Sequence, residues 1–215
     1  MIQRSLLALG TLIAIACTAV AAQNLLPIKL PAPQTDGGKP LMQVLKARQP
    51  AREYGSEKLP PQVLSNLLWA AWGINRPDGH RTAPSASNKQ EIDVYVVMPE
   101  GAYIYDAKAH ALNSVASGDL RAVTGTQPFP ATAALNLVYV ADMTKAGRPA
   151  TDPQQAMNVG ADAGFISANA YLYCASEGLA TVARASVDKG ALGKALKLRE
   201  TQVIVLAQSV GYPKK

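Results

Sequence analysis

Cysteine and histidine are almost missing from this chain of 215 residues: Cys17, Cys174, His80 and His110 are all it has. So few, spread so widely, cannot supply the clustered His/Cys spacing that zinc and most transition-metal sites need, and no metal centre is expected. Charge is thin as well, at 17% of residues. Its balance of +6 is scattered rather than gathered into a basic stripe with interleaved aromatics, so nucleic-acid binding has no footprint here. The chain has no G-x-S-x-G elbow and no G-x-G-x-x-G fingerprint, which argues against a serine hydrolase and a Rossmann dinucleotide site. The segment "GALGKALK" from Gly190 lacks the phosphate-loop spacing and the Ser or Thr after Lys194, so it reads as an ordinary helix. Any chemistry would therefore belong to a cofactor held by some other motif.

Long apolar runs are also lacking, apart from Leu6 to Ala16. That stretch is short of the roughly 20 residues a membrane span needs. Arg4 precedes it and Ala19-Val20-Ala21 follows, the order of a secretory signal peptide over residues 1–22, which predicts a periplasmic or secreted protein. "IAIAC" partly resembles a lipoprotein cleavage site, with Ala14 where Leu is usual, so a lipid anchor at Cys17 is the alternative. After cleavage near Ala22, Cys174 would be the one thiol left, and no intramolecular disulfide could form.

What is present is enough apolar residue, 48%, to bury one sizeable core. "QNLLPIKLPAPQTDGGKP", residues 23–40, holds four prolines and a glycine pair and reads as an extended arm or linker, leaving 41–215 as the folded domain. Val63, Leu64, Leu67, Leu68 and Ala71 follow the spacing of an amphipathic helix from Pro61, with Gly73 to end it. "EIDVYVVMP" and "GAYIYDA" alternate across Pro99-Glu100-Gly101 as a β-hairpin, and a further strand is expected at Leu135 to Ala141. The best-marked helix runs from Asp152 to Glu177: Asp152 as N-cap, Pro153 at the first position, Gln155 completing a capping box, Gly178 as the stop. Its Gly160, Ala161, Ala163, Gly164, Ser167, Ala168 and Ala170 leave little bulk on any face, which predicts a central, surrounded helix. A short helix near Lys189–Leu196 and a strand at Gln202–Gln208 complete an α+β arrangement.

Three polar features stand out. In "HRTAPSASNKQEIDVYVV", Thr82, Ser85, Ser87, Asn88 and Gln90 crowd together before a strand, either as a plain turn or as hydrogen-bonding groups facing a ligand. In "KARQPAREY", Arg48 and Arg52 fall on one side of the chain whether it is helical or extended. "GYPKK" places Lys214 and Lys215 behind a stiff Tyr212-Pro213 turn. Arginine forks and lysine point charges are the usual partners of phosphate, so these two ends could converge on one.

The ordered set "RQPAREY", "LSNLLWAAWGINRPDGHRTAPSASNKQ", "DAGFISANAYLYCASEGLATVARASVD" and "VGYPK" resembles the nitroreductase-like FMN flavoproteins, most of all the SagB-type branch that includes thiazoline and oxazoline oxidases. The resemblance runs from about Leu41 to Lys214. It implies an α+β sandwich with an antiparallel-containing sheet flanked by helices, and a homodimer whose FMN sites are shared between subunits. It implies a cofactor-binding set of Arg48, Arg52, Ser85, Ser87, Asn88, Arg184 and Lys214. In that set Arg48 and Lys214 hold the FMN phosphate and Arg52 reaches the flavin N1/O2 edge. Ser85, Ser87 and Asn88 line the ring or ribityl chain, and the segment Val182 to Ser186 around Arg184 offers N5 a backbone N–H. The implied activity is ping-pong electron or hydride transfer through N5 between an unknown donor and a small-molecule substrate; no general acid or base is identified. Gln49-Pro50 stands where the family often has Arg-Ser, and Ala168 where it often has Gln. These departures, with the export signal, support the alternative of a non-catalytic flavin- or ligand-binding protein of the same fold.

Overall fold

The computed structural model describes residues 25–215; the secretory-signal and Cys17 expectations fall outside them. In chain order the elements are β1 (Ile28–Lys29), α1 (Leu41–Ala47), α2 (Pro61–Trp72), β2 (Ile92–Met98), β3 (Gly101–Asp106), β4 (Ala111–Ser117), β5 (Leu135–Asp142), α3 (Met143–Ala146), α4 (Pro153–Glu177), β6 (Ala180–Arg184), α5 (Lys189–Ala195) and β7 (Gln202–Gly211). The strands make one seven-stranded sheet in the order β1-β4-β3-β2-β5-β7-β6, every pair antiparallel.

Alternation in the strands decides the layers. Val94 and Val96 of β2 and Leu135, Leu137 and Tyr139 of β5 point into the larger core, where Leu64, Leu67 and Leu68 of α2 and Val159, Ala163, Ile166 and Ala170 of α4 cover them. Their neighbours Tyr95, Val97, Val138 and Val140 point the other way, onto Leu192 and Leu196 in and after α5. With both faces covered, β5 is buried at every position. The sheet is thus sandwiched by helices, an α+β fold as the sequence predicts.

Helix α4 starts and stops where its signals stand. Asp152 Oδ1 accepts the N–H groups of Gln154 and Gln155 at 2.9 and 3.3 Å, a cap worth about 1 kcal/mol, and Gly178 takes the left-handed conformation at φ 71°. The capping box does not close. The Asp152 N–H goes to the Pro149 carbonyl instead, and the Gln155 side chain is buried. Nor is α4 surrounded within this chain: Val159, Ala163, Ile166, Ala170 and Cys174 face the core, while Met157, Ala161, Phe165 and Ala168 on the opposite side are exposed.

Residues 25–40 run as an extended arm tied down to the domain. Ile28 and Lys29 pair with β4, the Ser65 hydroxyl donates to the Pro31 carbonyl, and the N–H groups of Gln34 and Lys39 reach Asn66 Oδ1 and Ser176 Oγ. Prolines rule out a helix here but not an extended strap, and hydrogen bonds to α2 and α4 hold it down. Strands β4 and β6 and helix α1 carry too little apolar periodicity to be read from sequence; β4 is largely Ala, Ser and Asn.

Candidate cofactor site

Two groups of site residues predicted from the sequence fall at different places along α4. The first is the cationic edge. Helix α1 ends at Arg48, and the chain continues extended along the free side of β6, where the Ala51 N–H donates to the Thr181 carbonyl at 2.9 Å. Arg48 Cζ lies 5.4 Å from the ring centroid of Tyr171, whose hydroxyl accepts the Ala183 N–H at 2.8 Å. The C-terminal tail comes back to the same segment. Tyr54 pairs with Pro213, the Gly55 N–H meets the Tyr212 carbonyl at 2.9 Å, and the Lys214 N–H meets the Glu53 carbonyl at 3.4 Å. Tyr54 anchors the turn, buried, with its hydroxyl on the Ala51 carbonyl. The two ends of the domain therefore do converge, bringing Arg48, Arg52 and Lys214 to one edge.

All three cations are exposed, and among the described residues none is in an ion pair. Beside them lies a pocket of about 280 Å³ whose lining includes Gln49, Ala51, Tyr171, Gly178, Thr181 and Pro213. Unpaired cations next to a small pocket are the donor set an anion such as phosphate requires.

The second group is the turn before β2. The Ser85 hydroxyl accepts the Gln90 N–H at 3.0 Å, and Asn88 Oδ1 accepts from Gln90 Nε2 at 3.0 Å. Gln90 also takes Arg81 Nε on its Oε1, and Thr82 donates to the Trp69 carbonyl. Most of the polar run thus stabilises its own turn. Ser87 and Asn88 nevertheless stay exposed, and Ser87, Asn88 and Gln90 hold left-handed φ values of 53°, 51° and 49° without being glycine. Such residues cost of order 1 kcal/mol each and persist only where the surroundings over-determine them. One determinant is the Ala86 N–H, which donates to Asp162 Oδ2 on α4 at 2.9 Å. Asp162 and Tyr171 are nine residues apart on that helix, so the turn and the cationic edge are separated by roughly 13 Å along its axis. A single chain does not join them.

Arg184 belongs to neither group. Its guanidinium is buried, donating from Nη1 to Ser209 Oγ and from Nη2 to the Thr124 carbonyl, Thr124 Oγ1 and Asn136 Oδ1, with the Phe129 ring 5.5 Å away. Every one of those acceptors is neutral, and burial pushes its pKa down to about 10. The side chain staples β5, β6 and β7 to the loop at Thr124, so the Arg184 guanidinium is committed within the chain and is not available to a cofactor. Sequence reasoning missed Tyr171, the platform under Arg48, and the buried carboxylates Asp162 and Glu91. Asp162 had a readable signal: it is the one charge between Pro153 and Glu177, and it falls among the apolar residues of the buried stripe.

Among known proteins, residues 45–212 match the family model described as the nitroreductase family. A nitroreductase-like protein of Ralstonia eutropha JMP134 of known crystal structure superposes with a TM-score of 0.82 at 40% identity, over 88% of this chain and 90% of that one. A nitroreductase-like protein of Methanocaldococcus jannaschii is 28% identical over 176 residues, 77% of this chain and 88% of its own. The E. coli microcin synthetase complex McbBCD contains a chain of similar fold, with a TM-score of 0.66 at 19% identity, over 76% of this chain and 68% of that one.

Proposed function

The chain belongs to the nitroreductase family, and from that premise we propose that it is an exported, FMN-dependent oxidoreductase of the SagB-type branch that works as a homodimer. The observation that carries this reading is the convergence of Arg48, Arg52 and Lys214, unpaired, beside the pocket at the β6 edge. When bound, FMN supplies two-electron transfer through N5, from a donor to a small-molecule acceptor. Arg48 and Lys214 would hold the phosphate. Arg52 would place positive charge beside the ring edge that gains negative charge on reduction, a preorganised electrostatic role. The segment Val182–Ser186 would offer N5 a backbone N–H.

The exposed face of α4 supports the dimer. Met157, Ala161, Phe165 and Ala168, with Leu41, Met42 and Leu45 of α1, leave apolar surface in water on one side of the molecule. A two-fold axis crossing α4 between Asp162 and Tyr171 would bring the turn of one subunit to the cations of the other. Ser85, Ser87 and Asn88 would then complete the site across the interface.

The first experiment is an absorption spectrum of the purified protein with and without added FMN, followed by turnover assays with nicotinamide, quinol and artificial donors. Tight FMN binding with turnover is expected; no flavin uptake overturns the reading. The Gln49-Pro50 departure favours one alternative, since Pro50 has no N–H and Gln49 no charge: a flavin-binding protein without catalysis. Flavin uptake without turnover on any donor would select it. Export is tested by mass spectrometry of the protein from its native host, with a first residue near Gln23 expected.

A further inference from the structure

Two acidic side chains lie under the turn, and the flavin site as read above uses neither. Glu91 immediately precedes β2 and is 1% exposed; Asp162 sits on the core-facing stripe of α4 and is 3% exposed. Among the described residues neither carboxylate oxygen of Glu91 has a hydrogen-bond partner. The polar side chain that its carboxyl meets is Asp162. Two ionised carboxylates in a buried contact repel and have no hydrogen to share; with one proton the same contact becomes an O–H···O hydrogen bond.

No cation from the surrounding elements neutralises the pair. Lys89, in the turn itself, donates its ammonium to the Ala146 carbonyl. Asp142, at the end of β5, gives its N–H to the Glu91 carbonyl but aims its carboxylate at Thr144 and Arg199. Arg81 is engaged by Gln90 and the Trp72 carbonyl, and the Trp72 indole of α2 by the Ile92 carbonyl. Burial above all, with the contact to Asp162 adding to it, pushes the Glu91 carboxyl up to about 7 against the opposing pull of its own backbone N–H and, more weakly, of Lys89.

We propose that Glu91 and Asp162 hold a single proton between them, and that this proton sets the conformation of the Ser85–Asn88 turn through the hydrogen bond from Ala86 to Asp162. Both are positioning residues. Only their relevance to flavin rests on the function proposed above; the shared proton does not. When the proton leaves to solvent, two negative charges remain in a buried contact, a repulsion that the protein relieves by admitting water. The cheapest place to open is the turn, because its left-handed residues are already strained. A ligand held by Ser87 and Asn88 therefore binds best while the pair is protonated, and by linkage its binding retains the proton. The sign for stability follows. Glu91 is raised in the folded state, so its contribution is fully present below the ordinary carboxylate range and lost as pH rises through about 7.

The test uses the full protein without added flavin. Infrared spectroscopy of the parent at about pH 6 should show the carbonyl band of a buried, protonated carboxylic acid, fading as pH is raised to about 9. Over the same range, amide exchange at Ala86, corrected for its intrinsic rate, should lose about tenfold in protection. Glu91→Gln keeps the shape and can donate to Asp162, so it should abolish the band and flatten the pH dependence of exchange at Ala86. Absence of the band in the parent at pH 6, its persistence in both Glu91→Gln and Asp162→Asn, or equal loss of protection in parent and Glu91→Gln overturns the proposal. The parent's own band decides the matter even if a variant fails to fold. FMN titrations run in parallel bear on the flavin reading alone.

Discussion

Arg48 lies over the ring of Tyr171, 5.4 Å from its centroid, and the hydroxyl of the same ring caps the Ala183 N–H on the edge of β6. One side chain, itself part of the pocket lining, thus positions both a cation and a backbone segment beside the pocket. Removing the hydroxyl in Tyr171→Phe keeps the ring under Arg48 but leaves the Ala183 N–H without its partner. A stability loss of about 1 kcal/mol is expected, with flavin affinity reduced less than by Arg48→Ala.

The two arginines should separate by measurement. A charge-assisted contact is worth about 1.5–3 kcal/mol, so Arg48→Ala should weaken FMN binding by roughly ten- to a hundredfold while the bound flavin keeps its potential. Arg52→Ala, with FMN saturating, should lower the flavin's reduction potential and slow its reduction by any competent donor. Titrations and spectroelectrochemistry check both; unchanged affinity and potential in the two variants would remove these residues from the site.

Arg184 and Gly125 should be coupled. A Cβ at Gly125 would stand 2.6 Å from Arg184 Nε, although the Gly125 φ of −165° suits any residue. Gly125→Ala should therefore be destabilising in the parent and less so once Arg184 is Ala, the remaining cost coming from Pro130 Cγ at 2.9 Å. Arg184→Ala alone strands the acceptors on Thr124, Asn136 and Ser209 and should cost about 2–4 kcal/mol. Denaturant melts of the four proteins of the cycle measure the coupling, and additive effects would contradict it.

Acid should loosen the strap of residues 25–40. Ser65 Oγ donates to the Pro31 carbonyl at 2.6 Å and is 2.7 Å from His110 Nε2, while the Tyr105 hydroxyl is 2.9 Å from His110 Nδ1. With its hydrogen committed to Pro31, Ser65 accepts from Nε2 and Tyr105 donates to Nδ1, which is the neutral imidazole. Burial lowers the His110 pKa. Between the lowered and the unfolded values the unfolded chain binds more protons, so stability is full above about pH 6.5 and falls as pH drops through the folded value. Melts from about pH 8 to 5 should show this slope in the parent and a shallower one in His110→Gln; equal slopes would assign it to other groups.

Phe165 tests the dimer. Its side chain is 47% exposed at the middle of the apolar face of α4. Sedimentation of the parent at micromolar concentration should give roughly twice the chain mass, and Phe165→Glu should yield a folded monomer with impaired FMN binding. A parent that sediments as a monomer yet binds FMN tightly would rule out shared sites.

Local physics made part of this protein legible. The ends of α4 were written in Asp152, Pro153 and Gly178, and the hairpin of β2 and β3 in its alternating runs, because caps and two-residue periodicity act over a few residues. Motif order likewise pointed to Arg48, Arg52 and Lys214, on two chain segments that the fold pairs at Tyr54 and Pro213. Tertiary structure alone decided what depended on distant partners. It gave the Arg184 side chain to Thr124, Asn136 and Ser209, turned one face of α4 to solvent, and tied a proline-rich arm to α2. It also set Glu91 against Asp162, 71 positions along the chain. A buried charge takes its properties from whatever the fold packs around it, and no sequence window contains that neighbourhood.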